Sequence, residues 1–176
     1  MKFIETPLAG CYVVELEKRG DDRGFFARAW CQNEFADLGL PESFVQVNMS
    51  ASSEAGTLRG FHWQVEPHAE AKYVRCVKGS IFDVAIDVRP DSPTYTQWFG
   101  VELSASNRSA LFVPAGFAHG YQTLGPDTEL LYQSSAFYAP EAERGARWDD
   151  PLFGVEWPIA TPTLSEKDQS WPNFVP

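Results

Sequence analysis

Histidine is scarce in this chain: only His62, His68 and His119 occur in 176 residues. Cysteine is as scarce. Cys11, Cys31 and Cys76 are odd in number and lack CxxC spacing, so neither a disulfide framework nor a zinc site is implied and small buried or half-buried thiols are the expectation. Basic residues are outnumbered, with 14 Lys and Arg against 24 Asp and Glu, a net charge of −10. That balance argues against nonspecific nucleic-acid or membrane-surface binding. No apolar run approaches the ~20 residues of a membrane span. The opening Met1-Lys-Phe-Ile-Glu-Thr-Pro lacks the apolar core of a signal peptide, so a cytoplasmic protein is expected. Repeats, low-complexity tracts and linkers are missing too, and the length suits one domain over 1–176.

What is present is a β pattern. Gly10–Glu17 reads as a strand, a turn follows at Arg19–Gly24, and Cys31–Leu38 reads as a short helix closed by Gly39 and Pro41. From residue 44 the strand-like runs are Phe44–Met49, Lys72–Val77, Ser80–Val88, Trp98–Leu103, Ala110–Val113 and Glu129–Ser134. Short strands between Gly, Pro, Asp and Ser turns predict an antiparallel sandwich or barrel whose wide end can hold one ligand. After Pro140 the pattern fades into a Pro- and Trp-rich tail, expected to wrap the barrel, with a short helix near 165–170.

His62 stands in Gly56-Thr-Leu-Arg-Gly-Phe-His62-Trp-Gln64, and His119 in Pro114-Ala-Gly-Phe-Ala-His119-Gly. These segments resemble the two signature segments of the cupin barrel, which implies a double-stranded β-helix (jelly-roll) fold with a few short peripheral helices. Metal-binding cupins carry His-x-His in the first segment; here the second position is Gln64, an amide in place of an imidazole. A two-histidine, one-carboxylate iron site could be drawn from His62, His119 and Glu70, with His68 expected in a turn at Glu66-Pro-His-Ala. The other chemistry is acid–base. A histidine serves as general base when a carboxylate fixes its tautomer, and Asp83, Asp87, Glu143 and Asp168 are all candidates. Tyr132 is a candidate acid for the opposite face of a carbon, though a lone strand tyrosine is more often a core residue. Lys72 is a candidate for stabilising an enolate oxygen, against the ordinary role of a lysine guarding a sheet edge.

Taken together, the chain resembles the dTDP-4-dehydrorhamnose 3,5-epimerase family nearly end to end. The matching segments include Asp22-Arg-Gly-Phe-Phe26, Phe44-Val-Gln46 with Asn48 and Ser50, Gly56–Gln64, Lys72–Gly79, Phe82–Arg89, Pro114–Gly120, Tyr138-Ala-Pro140, Arg147-Trp-Asp-Asp-Pro151 and Ser165-Glu-Lys-Asp168. The resemblance implies a cofactor-free and metal-free epimerase that inverts C3 and/or C5 of a 4-keto-6-deoxy nucleotide sugar through an enolate. It implies His62 as base held by Asp168, Tyr132 as acid and Lys72 at the enolate. It implies Arg23, Arg59 and His119 as substrate and diphosphate ligands, with Phe26, Arg28, Gln46, Asn48, Tyr138 and Glu143 completing the substrate site. It also implies a homodimer whose N-terminal region crosses to the other barrel. An acidic protein can still bind a diphosphate, because guanidinium groups pair bidentately with phosphate.

The chain departs from the family pattern at several places. Ala27-Arg28 stands where an apolar residue and Glu are usual, Val47 where Asp is usual, Tyr121-Gln-Thr-Leu124 where Phe-Leu-Val-Leu is usual, Gln133 where Lys is usual and Ala136 where Asp is usual. The charge reversal at Arg28 motivates the expectation of a nucleotide other than dTDP. Two rival classes are a metal-dependent cupin dioxygenase or isomerase, which would need a second ligand beside His62, and a catalytically silent nucleotide-sugar binder, which would have lost the base, the acid or Asp168.

Overall fold

The computed structural model describes residues 1–176. Thirteen strands form two facing antiparallel sheets and a ribbon. The six-stranded sheet runs in the order β1 (Lys2–Glu5), β2 (Tyr12–Glu15), β10 (Ala110–Val113), β7 (Lys72–Lys78), β12 (Thr128–Ser134), β5 (Gln46–Ser52). The five-stranded sheet runs β13 (Glu143–Gly145), β6 (Leu58–Gln64), β11 (Phe117–Thr123), β8 (Ser80–Asp87), β9 (Trp98–Ser104). β3 (Arg19–Asp21) and β4 (Gly24–Phe26) make a separate two-stranded ribbon where a simple turn was expected. The short helices are α1 (Gln32–Ala36) and α2 (Glu166–Ser170), both within the predicted segments. No helix is long and apolar enough to cross a membrane.

Alternation along the strands builds three apolar layers. Val74, Cys76, Leu111, Val113 and Leu130 of the six-stranded sheet meet Ile81, Ala85, Leu103, Phe117 and Tyr121 of the other in the barrel interior. The intervening residues Tyr73, Ala110 and Phe112 point outward and are covered by Phe35 of α1. Phe35 is fully buried, and burying such a ring contributes roughly 1.5–3 kcal/mol. On the other side Phe61, Val84, Ile86 and Ala118 are covered by Phe153, Trp157 and Phe174 of the C-terminal tail. Both faces of each sheet are therefore buried over much of their area, as β10 shows with all four residues buried.

One irregularity decides what the interior contains. His119 pairs with His62 and Tyr121 with Arg59, so two steps along β11 match three along β6. The extra residue is a β-bulge, which re-aims side chains. Without it Arg59 and His62, an odd number apart, would face opposite sides of the sheet. The bulge forms at Gly60, where φ is +130° and an added Cβ would lie 2.5 Å from the Gly120 Cα. Only glycine fits that close crossing of β6 over β11.

Candidate active site in the barrel mouth

The cavity between the sheets holds about 370 Å³ and opens into an adjoining one of about 300 Å³. His62, Lys72, Tyr132, Tyr138 and Glu143 line both. The proton-handling groups enter from opposite walls. His62, Arg59 and His119 come from β6 and β11 of the five-stranded sheet, and Lys72 and Tyr132 from β7 and β12 of the six-stranded one.

Of the four carboxylates open as partners of His62, the fold brings Asp168. Its Oδ1 lies 2.6 Å from His62 Nε2. Asp168 is itself buried at 4% exposure. Burial pushes its carboxyl up, but the hydrogen bonds from His62 and Ser165, the charge of His62 and the Gly60 N–H outweigh it, so Asp168 stays below the usual carboxylate range. An ionised Asp168 accepts from Nε2–H and leaves Nδ1 as the basic nitrogen of His62. The sequence Ser165-Glu-Lys-Asp168 explains the placement. Ser165 caps α2, accepting from the Asp168 N–H at 3.1 Å and donating to Asp168 Oδ2 at 2.8 Å. Trp171, at the end of α2, packs its ring over Gly145, the register partner of His62.

The other three carboxylates are engaged elsewhere. Asp83 pairs with His119 Nε2 at 2.8 Å. Asp87 accepts from Arg89, Ser92 and Thr94. Glu143 accepts from Tyr138 Oη at 3.0 Å and from Lys167 Nζ at 2.7 Å.

Tyr132 is half-buried: it lines both cavities and also packs against the interior apolar cluster. Burial, then the charge of Glu70 and Tyr121, pushes its pKa above the ordinary phenol value against a smaller pull from Arg59. Lys72 lies on an interior strand, between β10 and β12, so it guards no edge. Its Nζ sits 3.1 Å from Glu70 and its side chain is 13% exposed.

The ligand set drawn from the sequence for a metal does not assemble. Glu70, the carboxylate of that set, pairs with Lys72. No three His, Cys, Asp or Glu side chains converge as a ligand set. Gln64 is buried, with its amide donating to the His68 and Phe137 carbonyls and accepting from the Ala139 N–H. His68 lies in the turn, 3.8 Å from Glu141.

Gln46, Asn48, Tyr138 and Glu143 line the adjoining cavity. Arg23, Phe26 and Arg28 line neither of these two cavities of their own chain. Arg23, 89% exposed, turns back onto Asp21 in the ribbon. Phe26 is 71% exposed. Arg28 bonds Glu34 at 3.0 Å. Conversely, Lys167, Ser50 and Tyr121 line the cavity without having been singled out for a role. Lys167 had a signal, its place next to Asp168 in a short helix. The Tyr121 hydroxyl, 2.7 Å from Ser50 Oγ, had none beyond strand parity with His119.

A jelly-roll barrel with a carboxylate-held imidazole facing a phenol and an ammonium across one cavity defines a cupin-type enzyme equipped for proton transfer at carbon. Comparison with known proteins gives the family. The model of the family described as dTDP-4-dehydrorhamnose 3,5-epimerase matches residues 5–175. The enzyme of that name from Sinorhizobium fredii is 47% identical over 179 residues, covering 99% of this chain and 90% of its own length. The crystal structure of dTDP-4-dehydrorhamnose 3,5-epimerase from Elizabethkingia anophelis superposes with a TM-score of 0.96 at 41% identity, covering 99% of this chain and 96% of that one. The enzyme of the same name from Bacillus anthracis, with TDP and PPi bound, superposes at 0.94 and 43% identity, covering 98% and 99%. The chain belongs to the dTDP-4-dehydrorhamnose 3,5-epimerase family, and it is an isomerase of deoxysugar biosynthesis.

Proposed function

We propose that the protein epimerises a dTDP-linked 4-keto-6-deoxy sugar at both C3 and C5, with His62 as base, Tyr132 as acid and Lys72 at the C4 oxygen. The observation that carries this reading is the His62–Asp168 pair at 2.6 Å, facing Tyr132 across one cavity from the opposite sheet. A hydrogen α to a ketone is acidic because its removal gives an enolate. His62 Nδ1 takes the proton, and the imidazolium is steadied by Asp168. The Lys72 ammonium stabilises the enolate oxygen. Tyr132, kept protonated by its raised pKa, returns a proton to the other face and the centre is inverted. Protons balance and no electrons are transferred, so no redox partner enters. Arg59, His119 and Lys167 supply positive or donor groups in the same cavity for the diphosphate.

Two observations favour dTDP over another nucleotide. The relatives described above are named for dTDP sugars or hold TDP, and Arg28 pairs with Glu34, so its charge is matched within the chain. A cytoplasmic homodimer is part of the same reading. β5 is a sheet edge with Val47 and Met49 exposed, and the β3–β4 ribbon exposes Phe25 and Phe26. A second copy covering both would bury apolar surface and could carry Arg23 and Phe26 to the neighbouring cavity. Sedimentation of the wild type and of Val47→Asp tests this: a monomeric wild type removes the dimer.

The deciding experiment incubates the protein with dTDP-, CDP-, GDP- and UDP-linked 4-keto-6-deoxy sugars in deuterium oxide and follows C3 and C5 by NMR. Deuterium entering both centres of the dTDP sugar is the expected result. No exchange with any of them, or preference for another nucleotide, overturns the corresponding part.

A further inference from the structure

The segment 137–139 carries Tyr138 into the barrel mouth, yet it belongs to neither sheet. Its backbone is held instead by two glutamine side chains. The Tyr138 N–H donates to Gln46 Oε1 at 2.6 Å. The Ala139 N–H donates to Gln64 Oε1 at 2.6 Å, and Gln64 Nε2 donates to the Phe137 carbonyl at 3.2 Å. The second Nε2 hydrogen goes to the His68 carbonyl at 2.9 Å, so both donors of the amide and its carbonyl are used. Gln46 stands on β5 of one sheet and Gln64 on β6 of the other. Three consecutive residues are therefore gripped from both walls of the barrel. Gln64 is 3% exposed, and a buried amide left without these groups would be costly.

The grip has a direction. With its backbone fixed, the Tyr138 ring lines both cavities and its hydroxyl meets Glu143 at 3.0 Å. Glu143 is held in turn by Lys167, the neighbour of Asp168. We infer that Gln64, with Gln46, is a positioning residue: the two amides clasp segment 137–139 and fix Tyr138 as one wall of the ligand cavity. Gln64 stands two residues beyond the proposed base, on the same strand, and braces the mouth through backbone groups. For its kinetic consequence the inference rests on the epimerase reading above.

The test is amide hydrogen exchange by NMR in the wild type and in Gln64→Leu. Loss of the Gln64 acceptor accelerates exchange at Ala139 by about tenfold, the upper end for one hydrogen bond. If the clasp acts as a unit, Tyr138 exchange accelerates as well, although its own acceptor on Gln46 is untouched. Unchanged Tyr138 protection overturns the inference. In turnover, a displaced wall raises KM by about tenfold and leaves kcat nearly as it was; a fall in kcat at constant KM overturns it in favour of an effect through His62. Gln64→Glu, of the same size, keeps an acceptor for Ala139 and has at most one O–H to offer the Phe137 and His68 carbonyls, so it decides the matter should the leucine variant not fold. It is expected to leave Ala139 protected and to raise KM; an unchanged KM counts against the clasp. A wild type that exchanges no α-protons removes the epimerase reading, and the amide measurements still report on the clasp.

Discussion

His62 and His119 are register partners on β6 and β11, and each gives its Nε2 to a different buried carboxylate, Asp168 at 2.6 Å and Asp83 at 2.8 Å. The two pairs are not equivalent. Asp168 also accepts from the Ser165 hydroxyl through Oδ2, whereas Asp83 keeps Oδ2 buried without a partner. Only Asp168 rides on α2 beside Lys167, within reach of the Glu143 and Tyr138 network.

Asp168→Asn is therefore expected to lower kcat by about 10²–10⁴-fold, since the amide no longer fixes the tautomer or supports the imidazolium. Asp83→Asn should act mainly through KM, because His119 is assigned to binding. Both are read by deuterium wash-in at C3 and C5. If the Asp83 variant lost exchange and the Asp168 variant kept it, the roles of the two histidines would be reversed.

Tyr132→Phe separates the two half-reactions. The base and the enolate site remain, so early wash-in by His62 should persist while inverted product falls by about 10²-fold or more. Because burial and the charge of Glu70 raise the Tyr132 pKa, wild-type kcat should also show no loss of this acid up to the ordinary phenol value of 10. An equal fall of wash-in and product in the variant would remove Tyr132 as the reprotonating acid.

Lys72→Met removes the ammonium facing the cavity and leaves Glu70 without its 3.1 Å partner. Loss of one preorganised group at a developing oxyanion is expected to lower kcat by about 10²–10³-fold with a small change in KM. Melting curves run alongside, and the double variant Glu70→Gln with Lys72→Met, distinguish this from a general loss of structure. A double variant with wild-type kcat would show that Lys72 acts only by neutralising Glu70.

Much of this site was readable in the sequence, for reasons particular residues make clear. Lys72 and Tyr132 lie on regular strands, where parity alone sends Val74 and Leu130 inward beside them. β6 and β11 escaped the strand reading because both of their faces are covered in places, so apolar and polar residues do not alternate cleanly. The bulge at Gly60 then reverses parity inside β6. The pairing of His62 with Asp168 spans 106 residues and came from family resemblance, not from any local pattern. Arg23, Phe26 and Arg28 came the same way, and they lie away from their own chain's cavity.

Asp87 offers a stability prediction. It is fully buried, and although burial pushes its carboxyl up, hydrogen bonds from Arg89, Ser92 and Thr94 bring it down to about 2 from 3.8. A carboxyl lowered on folding stabilises above its unfolded value, and that stability is lost as pH falls from about 4 toward 2. The shift corresponds to roughly 2 kcal/mol. Asp87→Asn should melt lower than wild type at neutral pH, and the gap should narrow by about that amount near pH 2. A gap independent of pH would show that Asp87 acts through packing alone.

Gly145→Ala probes the catalytic pair from behind. An added Cβ would fall 2.2 Å from the Trp171 ring, so the ring must move. Trp171 ends α2, which carries Lys167 and Asp168, and its ring centroid lies 6.2 Å from that of His62. Overpacking of this kind costs about 1–3 kcal/mol. The displacement should lengthen the Asp168–His62 contact, so kcat should fall by about 10²-fold, the scale set by a 1 Å misplacement. Trp171→Ala in the same background removes the clash. Recovery of kcat in the double variant relative to Gly145→Ala, measured by deuterium wash-in, would assign the defect to the seating of α2. A double variant no faster than the single one would mean that Gly145 matters to β13 and not to the pair.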